Sequence, residues 1–143
     1  MAARLTTHDL GSAVRVAVAR LSRRLRAEKA DDELSDTQTS ALAFLVREGS
    51  GTIGQLSEHE RVKPPSMNRT VNRLEAAGYV RRTADADDGR KVVVVPTAEG
   101  LALVTETRRR RDAWLNKRLR TLTPAQRATL AEAALILREL ADS

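Results

Sequence analysis

Apolar residues recur along most of this chain at spacings of three and four, interrupted once by a short stretch of β-branched residues. Leu10, Val14, Val18, Leu21 and Leu25 make the first stripe, one face of a helix. Arg15, Arg20, Arg23, Arg24 and Arg26 fill the remaining positions. The pattern predicts a basic amphipathic helix from about residue 8 to about residue 30, ended by the acidic run Asp31-Asp32-Glu33. Ser35-Asp36-Thr37-Gln38 then reads as a capping box, in which the Ser35 hydroxyl and the Gln38 amide each satisfy the other residue's backbone N–H. The helix it opens turns Leu42, Leu45 and Val46 inward and stops at Gly49, since glycine enters the left-handed region cheaply. Thr52-Ile53-Gly54-Gln55 repeats the capping logic for a short helix ending near Arg61-Val62. Lys63-Pro64-Pro65-Ser66 opens a third, because the first turn tolerates proline. Met67, Val71 and Leu74 are its buried stripe, and Gly78 ends it.

The period then changes. Tyr79–Thr83 and Lys91–Val95 are rich in β-formers, and Asp88-Gly89 between them signals a turn, so the segment predicts a β-hairpin with a charged tip. Pro96 ends the second strand. Thr97 caps a long helix holding Leu101, Val104, Trp114, Leu115 and Leu119, with four consecutive arginines at 108–111. Thr123-Pro124-Ala125-Gln126 caps the last helix, faced by Leu130, Ala134, Leu137 and Leu140. The fold class is therefore mainly α with a small β-hairpin wing. Residues 35–96 form a winged helix-turn-helix, flanked by helical regions at 8–34 and 97–141.

Composition narrows the function. The 143 residues contain no cysteine, which excludes a disulfide scaffold, a thiolate metal site and a catalytic cysteine. No run of 18 apolar residues and no apolar signal-peptide core at Met1-Ala2-Ala3-Arg4-Leu5 are present, so a cytoplasmic protein with no membrane partner is expected. Lys plus Arg number 25 against 19 acids, a net charge of +6, which suits a polyanionic partner. The excess is concentrated in the helix-turn-helix. Between 61 and 91, Arg61, Lys63, Arg69, Arg73, Arg81, Arg82, Arg90 and Lys91 face only Glu75, Asp85, Asp87 and Asp88.

An α-helix fits the major groove of duplex DNA, where arginine pairs with guanine and asparagine with adenine. The third helix carries Ser66, Asn68, Arg69, Asn72 and Arg73 off its apolar stripe, and the wing carries Arg90. The run from Pro65 to Arg82, the wing Asp85-Ala86-Asp87-Asp88-Gly89-Arg90-Lys91 and the junction Thr97-Ala98-Glu99-Gly100 together resemble the MarR family of regulators. The family's Asp-x-Arg wing signature stands as Asp88-Gly89-Arg90, while its usual Leu-Thr junction is Pro96-Thr97 here. The resemblance implies that Arg69 reads a base edge and that Ser66, Asn68, Thr70 and Arg73 touch bases or phosphates. It implies that Arg90 enters the minor groove, with Asp88 orienting the wing. It further implies a homodimer joined through the terminal helices, a near-palindromic operator, and a repressor released by a small, often aromatic ligand. Arg15, Arg20 and Trp114 are candidate lining groups for that ligand. The aliphatic faces of the first and last helices, outside a compact winged core, independently call for a second chain.

The alternative is a winged helix that binds RNA or acts as a sequence-blind architectural protein. RNA readers stack bases on exposed aromatics, whereas Phe44, Tyr79 and Trp114 are the only aromatics here and the first two occupy core-like positions. Glu58-His59-Glu60 is a thin basis for a metal site, and the wing's acidic loop departs from a calcium loop at Pro96, where the twelfth ligand belongs. With no glycine-rich nucleotide loop and no histidine near Ser66, no enzyme and no cofactor are expected. Arg108–Arg111 point nearly all round a helix and are expected to be solvated or paired with acids of a partner chain.

Overall fold

A computed structural model describes residues 4–143; Met1, Ala2 and Ala3, at which the signal-peptide reading began, lie outside the described residues. Its elements run α1 (Thr7–Ala27), α2 (Asp36–Glu48), α3 (Ile53–Glu60), α4 (Pro64–Ala76), β1 (Val80–Ala84), β2 (Val92–Pro96), α5 (Ala98–Leu119) and α6 (Pro124–Asp142). The capping boxes at Ser35/Gln38, Thr52/Gln55 and Thr123/Gln126 are all formed. The core lies under α2, which packs on α3, α4, α5 and β2. Leu42, Leu45, Leu56, Met67, Val71 and Leu74 are at most 1% exposed. Full burial of such side chains is worth about 1.5–3 kcal/mol each, so the three stripe residues of α4 fix its rotation and thereby its outward face.

Two glycines do the backbone work expected of them. Gly78, at φ 84°, donates its N–H to Glu75 while Tyr79 donates to Leu74, a Schellman closure that turns α4 directly into β1. Gly49 takes φ 86° after α2. The turn between α3 and α4 contains no glycine, and Arg61 adopts the left-handed conformation at φ 54° instead. Bonds from Val62 N–H to the Ser57 carbonyl and from Arg61 N–H to the Glu58 carbonyl hold it there, at a cost of roughly 1–2 kcal/mol for a residue with a Cβ.

β1 and β2 pair antiparallel from Val80↔Pro96 to Ala84↔Val92. Pro96 is thus the last paired residue, where the sequence ended the strand one residue earlier. Gly51 adds an isolated bridge to Val94 through two bonds of 3.0 and 2.7 Å, pinning the α2–α3 connection to the wing. A single bridged residue has no periodicity and left no signal in the sequence. The wing turn lies at Asp88-Gly89, where the sequence signals it. Gly89 does not take a positive φ; the Asp88 carboxylate accepts from the Arg90 N–H (3.1 Å) and its carbonyl from the Lys91 N–H (3.0 Å). The aspartate, not the glycine, makes the turn.

α1 ends at Ala27, three residues before the sequence reading placed its end. Tertiary partners replace the missing helical bonds. Arg111 Nε donates to the Leu25 carbonyl (3.1 Å), Arg110 Nη1 to the Lys29 carbonyl (3.3 Å), and the Ala30 N–H donates to Thr107 Oγ1 (3.2 Å). Arg110 and Arg111 of the run therefore satisfy carbonyls at and just after the end of α1 within their own chain. Arg109 and Arg110 also grip Glu106, holding its carboxyl down to about 2.

The linker from 28 to 35 is fastened at Asp31. Its Oδ2 accepts from the Tyr79 hydroxyl at 2.7 Å and its Oδ1 from the Glu33 N–H at 2.9 Å. The tyrosine bond first, then the backbone bond, keep this carboxyl below its ordinary 3.8 despite partial burial. A lowered folded-state value means that the contribution is present above 3.8 and is lost as pH falls through the lower value. Tyr79→Phe is expected to cost about 1 kcal/mol at pH 7, with the gap from wild type closing below that range. Urea unfolding followed from pH 7 down through 3.8 and below measures both, and a gap that does not narrow as pH falls would contradict this assignment.

Candidate nucleic-acid interface

Because Met67, Val71 and Leu74 are buried, α4 turns Asn68, Arg69, Asn72 and Arg73 outward, with Ser66 and Thr70 half-buried at its edges. The N-cap residue is Lys63, whose side chain has no acceptor, so the end of α4 nearest Ser66 has no side-chain cap. Arg69 Nη2 donates to Ser66 Oγ at 3.1 Å, one turn back, so these two candidates lie together. Asn68 Nδ2 donates to the Pro64 carbonyl at 3.2 Å, and no bond engages its Oδ1 among the described residues. Arg90 is exposed at the wing tip, in the turn that Asp88 closes.

Two cations that sequence reading counted with this face are engaged elsewhere. Arg82 donates to Glu75 Oε1 (2.8 Å) and to Asn72 Oδ1 (2.9 Å), tying β1 to α4 and occupying the acceptor that Asn72 would present to an adenine. Arg73 lies 3.7 Å from Glu33 of the linker. Both acids were legible in the sequence, but only the fold brings residue 33 beside residue 73. Arg61, Lys63, Arg69, Arg81, Arg90 and Lys91 have no ion-pair partner among the described residues.

The three candidate ligand-lining residues do not converge. Arg15 lies in an open groove between α1 and α6 with Val14, Val18, Leu137 and Leu140. Trp114 lies in a separate groove with Arg109, Arg110 and Lys117, under the Arg118 guanidinium at 3.6 Å, and Arg20 lines neither. Sequence reading missed instead a cavity of about 70 Å³ between α2 and α5, lined by Thr39, Leu42, Ala43, Leu103, Val104, Thr107, Arg108 and Arg111. Interleaved residues from two helices give no contiguous motif for such a space.

In Glu58-His59-Glu60, the imidazole of His59 packs on the Phe44 ring at a 4.7 Å centroid distance, and Glu60 Oε1 is buried without a hydrogen bond, 3.9 Å from His59 Nε2. Among the described residues no three His, Asp or Glu side chains cluster to hold a metal, and no helix is long and apolar enough to cross a membrane.

Known proteins share this arrangement. A model of the MarR family matches residues 33–91, the segment from the linker through the wing tip. An HTH-type transcriptional regulator of Mycobacterium tuberculosis is 42% identical over 133 residues, 93% of each chain. Among solved structures, a MarR family protein from Bacillus stearothermophilus superposes with a TM-score of 0.84 over 100% of both chains at 22% identity. BpsR of Bordetella bronchiseptica, whose DNA binding is regulated by 6-hydroxynicotinic acid, gives 0.68 over 99% of both at 22% identity. The two structures share the fold. The Mycobacterium protein carries the likeness through sequence over nearly the whole length, and with it the role of regulator rather than enzyme. The chain belongs to the MarR family of DNA-binding transcriptional regulators.

Proposed function

We propose that this protein is a homodimeric repressor that reads a near-palindromic operator with α4 and the wing, and that a small aromatic ligand releases it. The observation that carries the reading is the outward face of α4. The packing that buries Met67, Val71 and Leu74 leaves Arg69 and Ser66 joined on the opposite side, beside a wing whose tip presents Arg90. In this reading Arg69 pairs with a guanine edge, and Ser66, Asn68, Thr70 and Arg73 touch neighbouring bases or phosphates. Arg90 enters the minor groove, aimed by Asp88. A mixed face of arginine, asparagine and hydroxyls favours sequence readout over sequence-blind binding. The scarcity of exposed aromatics favours duplex DNA over RNA.

Dimerisation is supported by the terminal helices. No residue of α1 or α6 is buried, although Leu10, Val18, Leu21, Leu130, Ile136 and Leu140 are each 45–62% exposed. Aliphatic faces of that size in a regulator call for a second copy. Two-fold symmetry then sets half-site centres about one helical turn, roughly 10 base pairs, apart. A dimer seated there would exclude polymerase from an overlapping promoter. Ligand release is supported by the cavity between α2 and α5, whose rim carries Arg108 and Arg111. At about 70 Å³ it is smaller than an ordinary ligand site, so an aromatic acid entering it would spread α5 from α2 and change the spacing of the two reading helices.

Operator selection from random duplexes for wild type, Arg69→Ala and Arg90→Ala tests the reading. The wild type should recover a near-palindrome. Arg69→Ala should cost about 1–3 kcal/mol per half-site and relax one base position. Arg90→Ala should weaken A·T-flanked operators most and leave the half-site sequence unchanged. A single unrepeated site, or Arg69→Ala weakening all sequences equally, would refute the assignment.

A further inference from the structure

Arg73 projects from the last turn of α4, yet its nearest charged neighbour belongs to the segment that leads into α2. Glu33 Oε2 lies 3.7 Å from Arg73 Nη2, with side chains 84% and 52% exposed. A surface ion pair between mobile side chains has little meaning by itself. Here the backbone beneath the carboxylate is fixed. The Glu33 N–H donates to Asp31 Oδ1, and the other oxygen of Asp31 takes the Tyr79 hydroxyl. Tyr79 is the residue that follows the α4 closure at Gly78, so the end of the reading helix itself places the acid that meets its arginine. One residue further back, the Ala30 N–H is bonded to Thr107 of α5.

We propose that Glu33 sets the DNA affinity of α4 by holding Arg73 in the unbound protein, so that a phosphate must displace a carboxylate to engage it. The proposal rests on the reading of α4 as the DNA-facing helix. Its physics is a competition. The guanidinium donors that face the Glu33 carboxylate are not free for a phosphate oxygen until the pair opens. Because the contested interaction is with the DNA backbone, Glu33 lowers affinity for all sequences alike and does not change which sequence is preferred. The linker carrying Glu33 is also bonded to α5 at Thr107, a lining residue of the α2–α5 cavity, which places this brake where a movement of α5 reaches it.

The test is a double-mutant cycle on the selected operator, with fluorescence anisotropy at several salt concentrations and thermal midpoints for every variant. Glu33→Gln should tighten binding by about two- to fivefold per half-site. It should also steepen the salt dependence, by up to about 0.9 in slope for each further phosphate that is neutralised. In an Arg73→Gln background the same change should have little effect. Equal tightening in both backgrounds would mean that Glu33 acts only through general charge, and would overturn the proposal. So would weaker binding by Glu33→Gln. If Arg73→Gln weakens binding while Glu33→Gln is neutral, the brake fails and the reading of α4 stands. If Arg73→Gln leaves binding unchanged, the assignment of Arg73 to the DNA face fails as well.

Discussion

Gly100→Ala is expected to cost the fold about 3 kcal/mol or more, the upper range of overpacking effects. A Cβ built at Gly100 would stand 2.1 Å from the Tyr79 carbonyl oxygen and 3.1 Å from its carbon, with Leu42 Cδ1 at 3.2 Å. The obstacle is backbone that is held from both sides. Tyr79 N–H closes α4 onto the Leu74 carbonyl, and the Tyr79 carbonyl accepts from Thr97 N–H at 3.0 Å. The Thr97 hydroxyl in turn bonds the Gly78 carbonyl and caps Gly100 N–H. No flexible side chain is available to yield, so α5 must lift away from the start of β1 or the junction must open. A loss of that size lowers the melting midpoint by on the order of 10 °C in a domain of this length. The same substitution at Gly54 is the reference: the only atom near its Cβ is Thr52 Oγ1 at 3.8 Å, and alanine there should stabilise α3 by up to about 1 kcal/mol. Thermal unfolding followed by circular dichroism distinguishes them. Equal midpoints for Gly100→Ala and wild type would mean that α5 does not approach Tyr79 this closely.

Operator binding is expected to weaken about 10³–10⁵-fold between 50 and 200 mM salt. Arg61, Lys63, Arg69, Arg81, Arg90 and Lys91 are exposed and free of ion pairs among the described residues. Doubling these six across a dimer gives twelve, and if about half or more reach phosphates the complex falls in the class of six to ten neutralised charges. The arginines at 109–111 do not add to this total in full, because Glu106 and the carbonyls at the end of α1 already engage them. Affinity measured across that salt range decides the matter. A nearly flat dependence would mean that this basic surface is not where the polyanion lies.

What the sequence made legible was local. Capping pairs, proline at a helix start, glycine after a helix end and the three-four stripe of α4 are each written within a few residues, and each appears where it was read. The outward set on α4 followed from the same stripe, because fixing the buried side fixes the other. What escaped depended on residues far apart in the chain. The true end of α1 was set by Thr107, Arg110 and Arg111, some 80 positions away. Arg61 took a left-handed turn with no glycine to announce it. Glu33 looked like part of an acidic stop signal, and Asn72 like a free base reader, until the fold supplied Arg73 and Arg82 as their partners. The wing turn lies at Asp88-Gly89 as read, and the fold adds that bonds to Asp88 close it.

The caps have a further consequence. Five helices begin at a serine or threonine hydroxyl, and in three of them the reciprocal partner is the neutral amide of glutamine rather than a carboxylate. A hydrogen bond between uncharged groups is scarcely affected by mobile ions and has no proton to lose near neutrality. Three of the helices thus begin with chemistry indifferent to ionic strength, while Arg61, Lys63, Arg69, Arg81, Arg90 and Lys91, the cations offered to the polyanion, carry no ion pair among the described residues. Rising salt should then detach this regulator from its operator while its helices stay intact, so that release and unfolding answer to different physical variables and the protein can let go many times without being lost.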